Sequence, residues 1–154
     1  MSMFSDMLLR ASTTVIAFII LISIIAIGIV FDMLGVAVTV ADEKPFNSMA
    51  SSKIKGAKSS LMLIKNAGRV SNLFNDVIGD ICGIISGTSA AFIVSQIGGS
   101  VEFIDAAVFS IILSGLVAAG TIGGKAMGKD IAIGRSKEIV TIAGKIISVF
   151  TERK

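Results

Sequence analysis

Three aspartates lie within or beside strongly apolar segments of the sequence: Asp32, Asp76 and Asp80. A carboxylate at the centre of a membrane-spanning helix costs at least about 2.5 kcal/mol, so such a residue faces a cavity, pairs with another group or binds an ion. No lysine or arginine lies within the two apolar segments that carry these residues. Protonation, water or a bound cation is therefore expected to neutralise them.

The ligands that these segments offer are oxygen atoms. The chain has no histidine, and its single cysteine, Cys82, is expected to be a small buried apolar residue. A hard ion such as Mg²⁺ accepts one or two carboxylates and retains bound water. Because Asp76 and Asp80 are four residues apart, they share one helix face. The expected ligands of such an ion are Asp32, Asp80, Gly79, Thr39, Asp76 and Ser86.

Asp76 and Asp32 also have explanations that involve no metal. Asp76 could be a solvated residue at the membrane surface, and Asp32 could cap a helix. Asp80 follows a glycine within the apolar run and is expected to lie deeper. Glu102 and Asp105 flank the turn between later apolar segments and are expected to be solvated, although acidic groups there would attract cations.

The composition indicates an integral membrane protein. Of the 154 residues, 53% are hydrophobic and only 16% are charged, and the mean hydropathy is +0.89. These values lie well outside those of ordinary soluble domains. With about 20 residues per span, the length accommodates three or four membrane-spanning helices and some interfacial chain.

Two classes of function are disfavoured by residue types. The net charge of +3 could suggest a nucleic-acid partner, but the basic residues flank apolar segments and no Tyr or Trp is present to stack on bases. Without histidine there is no Ser-His or Cys-His pair, and no phosphate-cradling loop is present. We therefore expect neither nucleic-acid binding nor enzymatic activity.

The apolar runs predict an all-α membrane protein with three spans, at about residues 10–40, 77–97 and 103–123. The glycines of Gly98 to Ser100 predict a tight turn, so that the second and third spans form a hairpin. A cleaved signal peptide ending at Ala41 is the alternative for the first span, although its apolar run is long for that role.

The distribution of basic residues predicts the orientation. Arg10 alone precedes the first span, six basic residues lie between the first and second, none lies in the hairpin turn, and seven follow the third. Under the positive-inside rule, the N-terminus is outside and the long connection and C-terminal tail are cytoplasmic. The expected location is the cell membrane.

Two cytoplasmic segments, at about residues 47–74 and 126–151, are expected to form amphipathic helices. Their apolar residues recur every three or four positions, with lysines on the other face. Such helices bind anionic lipid headgroups at the membrane surface. Packing against the protein's own cytoplasmic side is an equally good explanation, and the two are compatible.

Small residues recur every fourth position on the second and third spans. This spacing lets helix backbones approach closely within lipid, where burial from water cannot drive association. A homodimer is the expected assembly, because three spans offer little interior of their own. The predicted packing residues are Gly79, Gly83, Gly87, Gly115, Ala119 and Gly123.

Several short motifs resemble those of a known family. The chain has FDMLGVA from Phe31, MASSKIKGA from Met49, VIGD from Val77 and GTIGGK from Gly120. With the order of the predicted parts, these resemble the transmembrane domain of the CNNM/CorC magnesium transporters. The corresponding family phrases are F-S-A-x-E-x-A, L-A-x-x-x-x-x-x-A, I-G-N, and G-E-I-x-P-K.

The resemblance implies Mg²⁺ transport, with Na⁺ as a candidate coupling ion. In the family the neighbourhoods of Asp32 and Asp80 contribute to the Mg²⁺ site, and here carboxylates replace a serine and an asparagine, which implies stronger divalent binding. The family's glutamate positions are occupied by Gly35 and Thr121. Because the resemblance does not extend to the family's CBS and C-terminal domains, a separate cytoplasmic regulatory chain is an expected partner.

Two functions from different classes follow. The first is binding and transport of a divalent cation between Asp32 and Asp80, with Gly35 and the glycine row as hinges. The second is a non-transporting membrane scaffold or accessory subunit that docks a partner through its small-residue helix faces, the aspartates serving assembly.

Overall fold

The computed structural model describes residues 2–97 and 106–151, and the side-chain surroundings of residues 13–96 and 107–149. All regular structure within these ranges is helical. The expected hairpin turn, together with Glu102 and Asp105, lies outside the described residues. The helices are α1 (Ser2–Val40), α2 (Glu43–Ser51), α3 (Ala57–Lys65), α4 (Ala67–Asn72), a π-helical segment (Leu73–Ile78), α5 (Gly79–Ile97), α6 (Ala106–Gly134) and α7 (Ser136–Thr151).

Three helical stretches among the described residues are long and apolar enough to cross a membrane, as the sequence predicts. They are Thr13–Val40, Ala67–Gln96 and Ala107–Gly134. The third continues well past the expected end near Gly123, because the lysines that follow are good helix formers and nothing there terminates the helix. Most large apolar side chains on these stretches are exposed on the chain, as contact with lipid requires.

The chain divides into two compact units. Unit 1 comprises Met1–Gly28 and Ile81–Gly124. Its core joins α1, α5 and α6 through Ala17, Leu21, Ala90, Ile93 and Leu113. A Cβ atom on Gly28 would lie 3.2 Å from Cβ of Cys82, so α1 and α5 approach closely there.

Unit 2 comprises Ile29–Asp80 and Lys125–Lys154 and holds the shorter helices. Asp42 begins α2 as its N-cap, with its carboxylate accepting from the Lys44 N–H at 3.1 Å. The turn between α2 and α3 has left-handed backbone at Lys53 (φ 54°) and Gly56 (φ 83°). A Cβ atom on Gly56 would lie 2.8 Å from the Lys145 backbone, so only glycine fits this turn beneath α7.

Helices α3 and α7 pack tightly against each other. The buried Ser60 hydroxyl donates to the Val140 carbonyl at 3.0 Å. A Cβ atom on Gly144 would lie 2.7 Å from the Gly56 carbonyl oxygen and 2.8 Å from the Ser60 nitrogen. The core of unit 2 is formed by Ala37, Val38, Phe46, Ile64, Ala132 and Val140.

The two segments expected to be amphipathic helices contain helices with other bounds. Residues 47–74 are divided among α2, α3, α4 and the start of the π-helical segment, because the left-handed turn at Lys53 and Gly56 interrupts the helix. In the tail, α6 continues to Gly134 and α7 begins at Ser136. A position of these helices at the membrane surface stays a prediction.

Candidate functional site

Asp32 is the most deeply buried acidic side chain among the described residues. It is 5% exposed, and its Oδ1 lies 3.8 Å from Nζ of Lys125 on α6. This separation is that of an ion pair and is too long for a hydrogen bond. The alternative that Asp32 caps a helix is wrong, because α1 runs without interruption from Ser2 to Val40.

Lys125 corrects one expectation drawn from the sequence. Protonation, water or a cation was expected to neutralise Asp32, because no basic residue lies within the first two spans. The third helix supplies one, since α6 continues beyond Gly123 and carries Lys125 within its apolar stretch. A lysine stem packs along apolar surface while its ammonium reaches a polar partner, and this side chain is 30% exposed.

Asn75 is the second polar group of the site. Its Nδ2 donates to Oγ of Ser71 at 3.3 Å, while its Oδ1 contacts Gly35. A Cβ atom on Gly35 would lie 2.9 Å from Cγ of Asn75. Gly35 is three residues after Asp32 and therefore lies on the same side of α1. Asn75 thus packs onto α1 within one turn of Asp32.

The backbone around Asn75 is π-helical from Leu73 to Ile78. Such segments are rare, and they occur frequently at functional sites. The Phe74 ring contacts the Phe31 ring of α1, with centroids 5.3 Å apart, which fixes the π-helical segment against α1. One turn after Asn75, the buried Gly79 lies beside Lys125, whose Nζ would be 3.4 Å from a Cβ atom there.

Two buried oxygen atoms in this region have no hydrogen-bond partner among the described residues. They are Oδ2 of Asp32 and Oδ1 of Asn75. Buried polar atoms are nearly always paired, so two orphans in one region need an explanation. Both are acceptors, and both are atoms that a hard cation takes as ligands. We call the group formed by Asp32, Asn75 and Lys125, with Gly35 and Gly79, the Asp32 site.

The expected hydroxyl ligands are engaged elsewhere. The Thr39 hydroxyl donates to the Gly35 carbonyl at 2.9 Å. The Ser86 hydroxyl, in unit 1, donates to the Gly83 carbonyl at 2.9 Å. Both bonds are local to one helix, so each hydroxyl proton is occupied within its own helix, and a role for either oxygen as a ligand stays a prediction.

Asp76 and Asp80 are exposed on the chain, whereas Gly79 is buried. Adjacent helical residues are about 100° apart around the axis, so burying Gly79 turns Asp80 outward. Within the part of the chain that the structure describes, no three His, Cys, Asp or Glu side chains form a group that could hold a metal ion. Asp32 is the one buried carboxylate among the described residues. Coordination of a metal ion by Asp80 stays a prediction.

The small-residue rows face open space in a single chain. A Cβ atom on Gly83, Gly87, Gly115 or Gly123 would meet no other described side chain or neighbouring backbone within 4 Å. Ala119 is exposed. An open groove of about 330 Å³ lies between α5 and α6, lined by Gly83, Ser86, Gly87, Ala90, Ser114, Val117, Ala118, Thr121 and Ile122. Packing of these rows against a second copy stays a prediction.

A basic pocket lies where α3 begins. It has a volume of about 280 Å³, and its lining includes Lys53, Lys55 and Lys58 and no acidic residue. Gly56 and Ser59 complete its wall at the first turn of α3, and Ser148 does so from α7. Helix N-termini favour negative charge, so the pocket suits an anionic group.

Lys125 and Asn75 were absent from the ligands expected from the sequence. The small residues near Lys125 could have indicated that this part of α6 packs against another helix. Gly128 does lie against α1, where a Cβ atom on it would be 2.8 Å from Cγ of Met33. That contact identifies the face of α6 nearest to Asp32.

No protein-family model matches the chain, and no match was found among curated proteins or solved structures.

Proposed function

We propose that this chain binds a metal cation, with Mg²⁺ as the leading candidate, and moves it across the cell membrane through the Asp32 site. One observation carries the proposal. The buried side-chain oxygens without a partner among the described residues are one atom of Asp32 and one of Asn75, and both belong to this site. A cation between helices would use both.

The energetics favour a functional origin for this arrangement. A charged residue in a membrane span costs at least about 2.5 kcal/mol on insertion scales, and an unpaired buried polar atom costs about 1–3 kcal/mol more. Both penalties meet at Asp32, whose Oδ2 is buried and unpaired. Residues that carry such penalties within a membrane mark ion pathways and relays.

Mg²⁺ fits the donor set better than a soft metal ion does. It takes oxygen ligands, needs as few as one carboxylate, and keeps several waters. The sequence resemblance to the CNNM/CorC transporters supports the same ion and makes Na⁺ a candidate coupling ion. Asp80, at the position of the family's asparagine, is proposed as a further ligand that is recruited on binding.

The test is Mg²⁺ flux in proteoliposomes. The native chain is expected to move Mg²⁺ faster than empty vesicles do, Asp32→Asn to abolish the flux, and Asn75→Leu to reduce it. Asp130→Asn is the matched control and should keep native flux, because Asp130 is an exposed carboxylate on α6 and is not one of the expected ligands. If native flux equals that of empty vesicles, transport by this chain alone is wrong. If Asp32→Asn retains native flux, the site assignment is wrong.

A second candidate, a non-transporting scaffold or accessory subunit, is favoured by the open glycine faces. Small residues that contact nothing within their own chain suit a second helix from another chain. In this alternative Mg²⁺ would neither cross the membrane nor raise the melting temperature, whereas a ligand of the native state must raise it. A separate cytoplasmic regulatory chain is a proposed partner under either function.

Anionic lipid headgroups are the remaining proposed partner. The basic pocket beside α3 presents lysines and a helix N-terminus to an anionic group. The proposal places the short helices α2 and α3, together with α7, at the cytoplasmic surface of the membrane, in agreement with the orientation that the basic residues predict.

A further inference from the structure

Lys125 occupies the place where a cation would act on Asp32. Its Nζ lies 3.8 Å from Oδ1 of Asp32, with the lysine side chain 30% exposed and the aspartate side chain 7% exposed. The lysine side chain therefore has open space beside it, and the carboxylate does not. The long stem of lysine permits movement of the ammonium without any shift of α6.

We propose that Lys125 is a tethered counter-cation and that the transported ion binds by displacing it. This inference rests on the proposed function. Asp32 and Lys125 together are neutral, so Mg²⁺ added beside them would leave a buried site with two net positive charges. Like charges a few ångströms apart repel strongly where water is scarce. Withdrawal of the ammonium leaves Asp32, the Asn75 oxygen and the ion.

The same lysine serves the empty transporter. Without Lys125 an unoccupied Asp32 would be a lone buried carboxylate, which is far less stable than a buried pair. The Lys125 ammonium keeps the empty site neutral, so the empty form can return across the membrane without a bare charge. Lys125 thus competes with the ion for binding and enables net flux, two effects that a merely structural lysine would not combine.

The test compares the native chain with Lys125→Met, which keeps the stem and removes the charge. Binding of Mg²⁺ in detergent is measured by calorimetric titration. Mg²⁺ is expected to bind the variant at least about tenfold more tightly, because a competing positive charge has been removed. In proteoliposomes, net efflux is expected to fall while exchange of labelled for unlabelled Mg²⁺ persists. Lys129→Met, an exposed lysine one turn further along α6, is the matched control and should bind as the native chain does.

The outcomes separate this inference from the proposed function. If neither chain binds Mg²⁺, the proposed function fails. If the native chain binds and Lys125→Met binds equally or more weakly, or keeps native net efflux, displacement is wrong while the proposed function stands. Should the variant not fold, acetylation of Lys125 in the native protein is measured by mass spectrometry, with Lys129 as reference. Mg²⁺ should accelerate it, and an unchanged or slower rate overturns the inference.

Discussion

Gly35→Ala tests how the Asp32 site is built. The new methyl group would lie 2.9 Å from Cγ of Asn75 and would also meet Oδ1. Asn75 cannot yield freely, because it donates to Ser71 and its neighbour Phe74 packs on Phe31. Overpacking of this kind costs about 1–3 kcal/mol. Replacing a helical glycine by alanine gains about 1 kcal/mol where there is room.

A double-mutant cycle separates the two effects. In an Asn75→Ala background the clash is gone, so Gly35→Ala should stabilise the chain by about 1 kcal/mol through helix propensity alone. The coupling between the two sites should therefore be about 1–3 kcal/mol. Gly68→Ala is the control, because a Cβ atom there meets nothing within 4 Å among the described residues.

The assay is thermal unfolding in detergent followed by circular dichroism, since the chain has no Trp or Tyr for intrinsic fluorescence. A change of 1 kcal/mol corresponds to about 2–4 °C for a chain of this size. Gly35→Ala should also diminish the rise in melting temperature that Mg²⁺ produces, because Asn75 is displaced. If Gly35→Ala shifts the melting temperature equally in both backgrounds, the packing argument for the Asp32 site is refuted.

Three further predictions concern other parts of the chain. Gly144→Ala should destabilise the fold by about 2–3 kcal/mol. Its methyl group would meet the Ser60 nitrogen and the Gly56 carbonyl oxygen, and these backbone atoms cannot move aside. An unchanged melting temperature would contradict this. The double variant Gly83→Leu/Gly87→Leu should convert a homodimer to a monomer in light-scattering measurements, because it fills the open groove; a monomeric native chain would remove the basis for the dimer. Lys53→Ala/Lys58→Ala should weaken binding of short-chain phosphatidylglycerol by about 30-fold, at about 1 kcal/mol per lysine. If the native chain binds phosphatidylcholine as tightly as phosphatidylglycerol, it does not recognise anionic headgroups.

The presence of three helices long and apolar enough to span a membrane could be predicted from the sequence, because hydropathy is a local sum over about 20 residues. Helix ends could not be predicted as well. The third span is predicted to end near Gly123, where charged residues begin, whereas the helix α6 that contains it continues to Gly134. Lysine and arginine lower the hydropathy of a segment but have high helix propensity. A helix can therefore continue past the point where the apolar run ends.

Asp32 could be identified from the sequence, because a carboxylate in an apolar run is costly whatever its neighbours are. Its neighbours could not be identified. Lys125 is distant in sequence, and its approach depends on the rotation of α6. The orientation of Asn75 depends on the π-helical segment, whose i→i+5 hydrogen bonding changes which side chains face α1. Asparagine is also common in proteins, so its presence at position 75 does not by itself indicate a ligand.

The pairing of polar groups elsewhere in unit 2 bears on the proposal that the Asp32 site binds a ligand. The buried Ser60 hydroxyl finds the Val140 carbonyl, and Asp42 caps the helix that it precedes. Both of these polar groups of unit 2 are paired. The orphaned oxygens, the long ion pair and the π-helical segment instead converge within about one turn of α1, around Asp32 and Asn75. Two unpaired buried oxygens in one place, when the described residues show no others, are typical of a site held ready for a ligand.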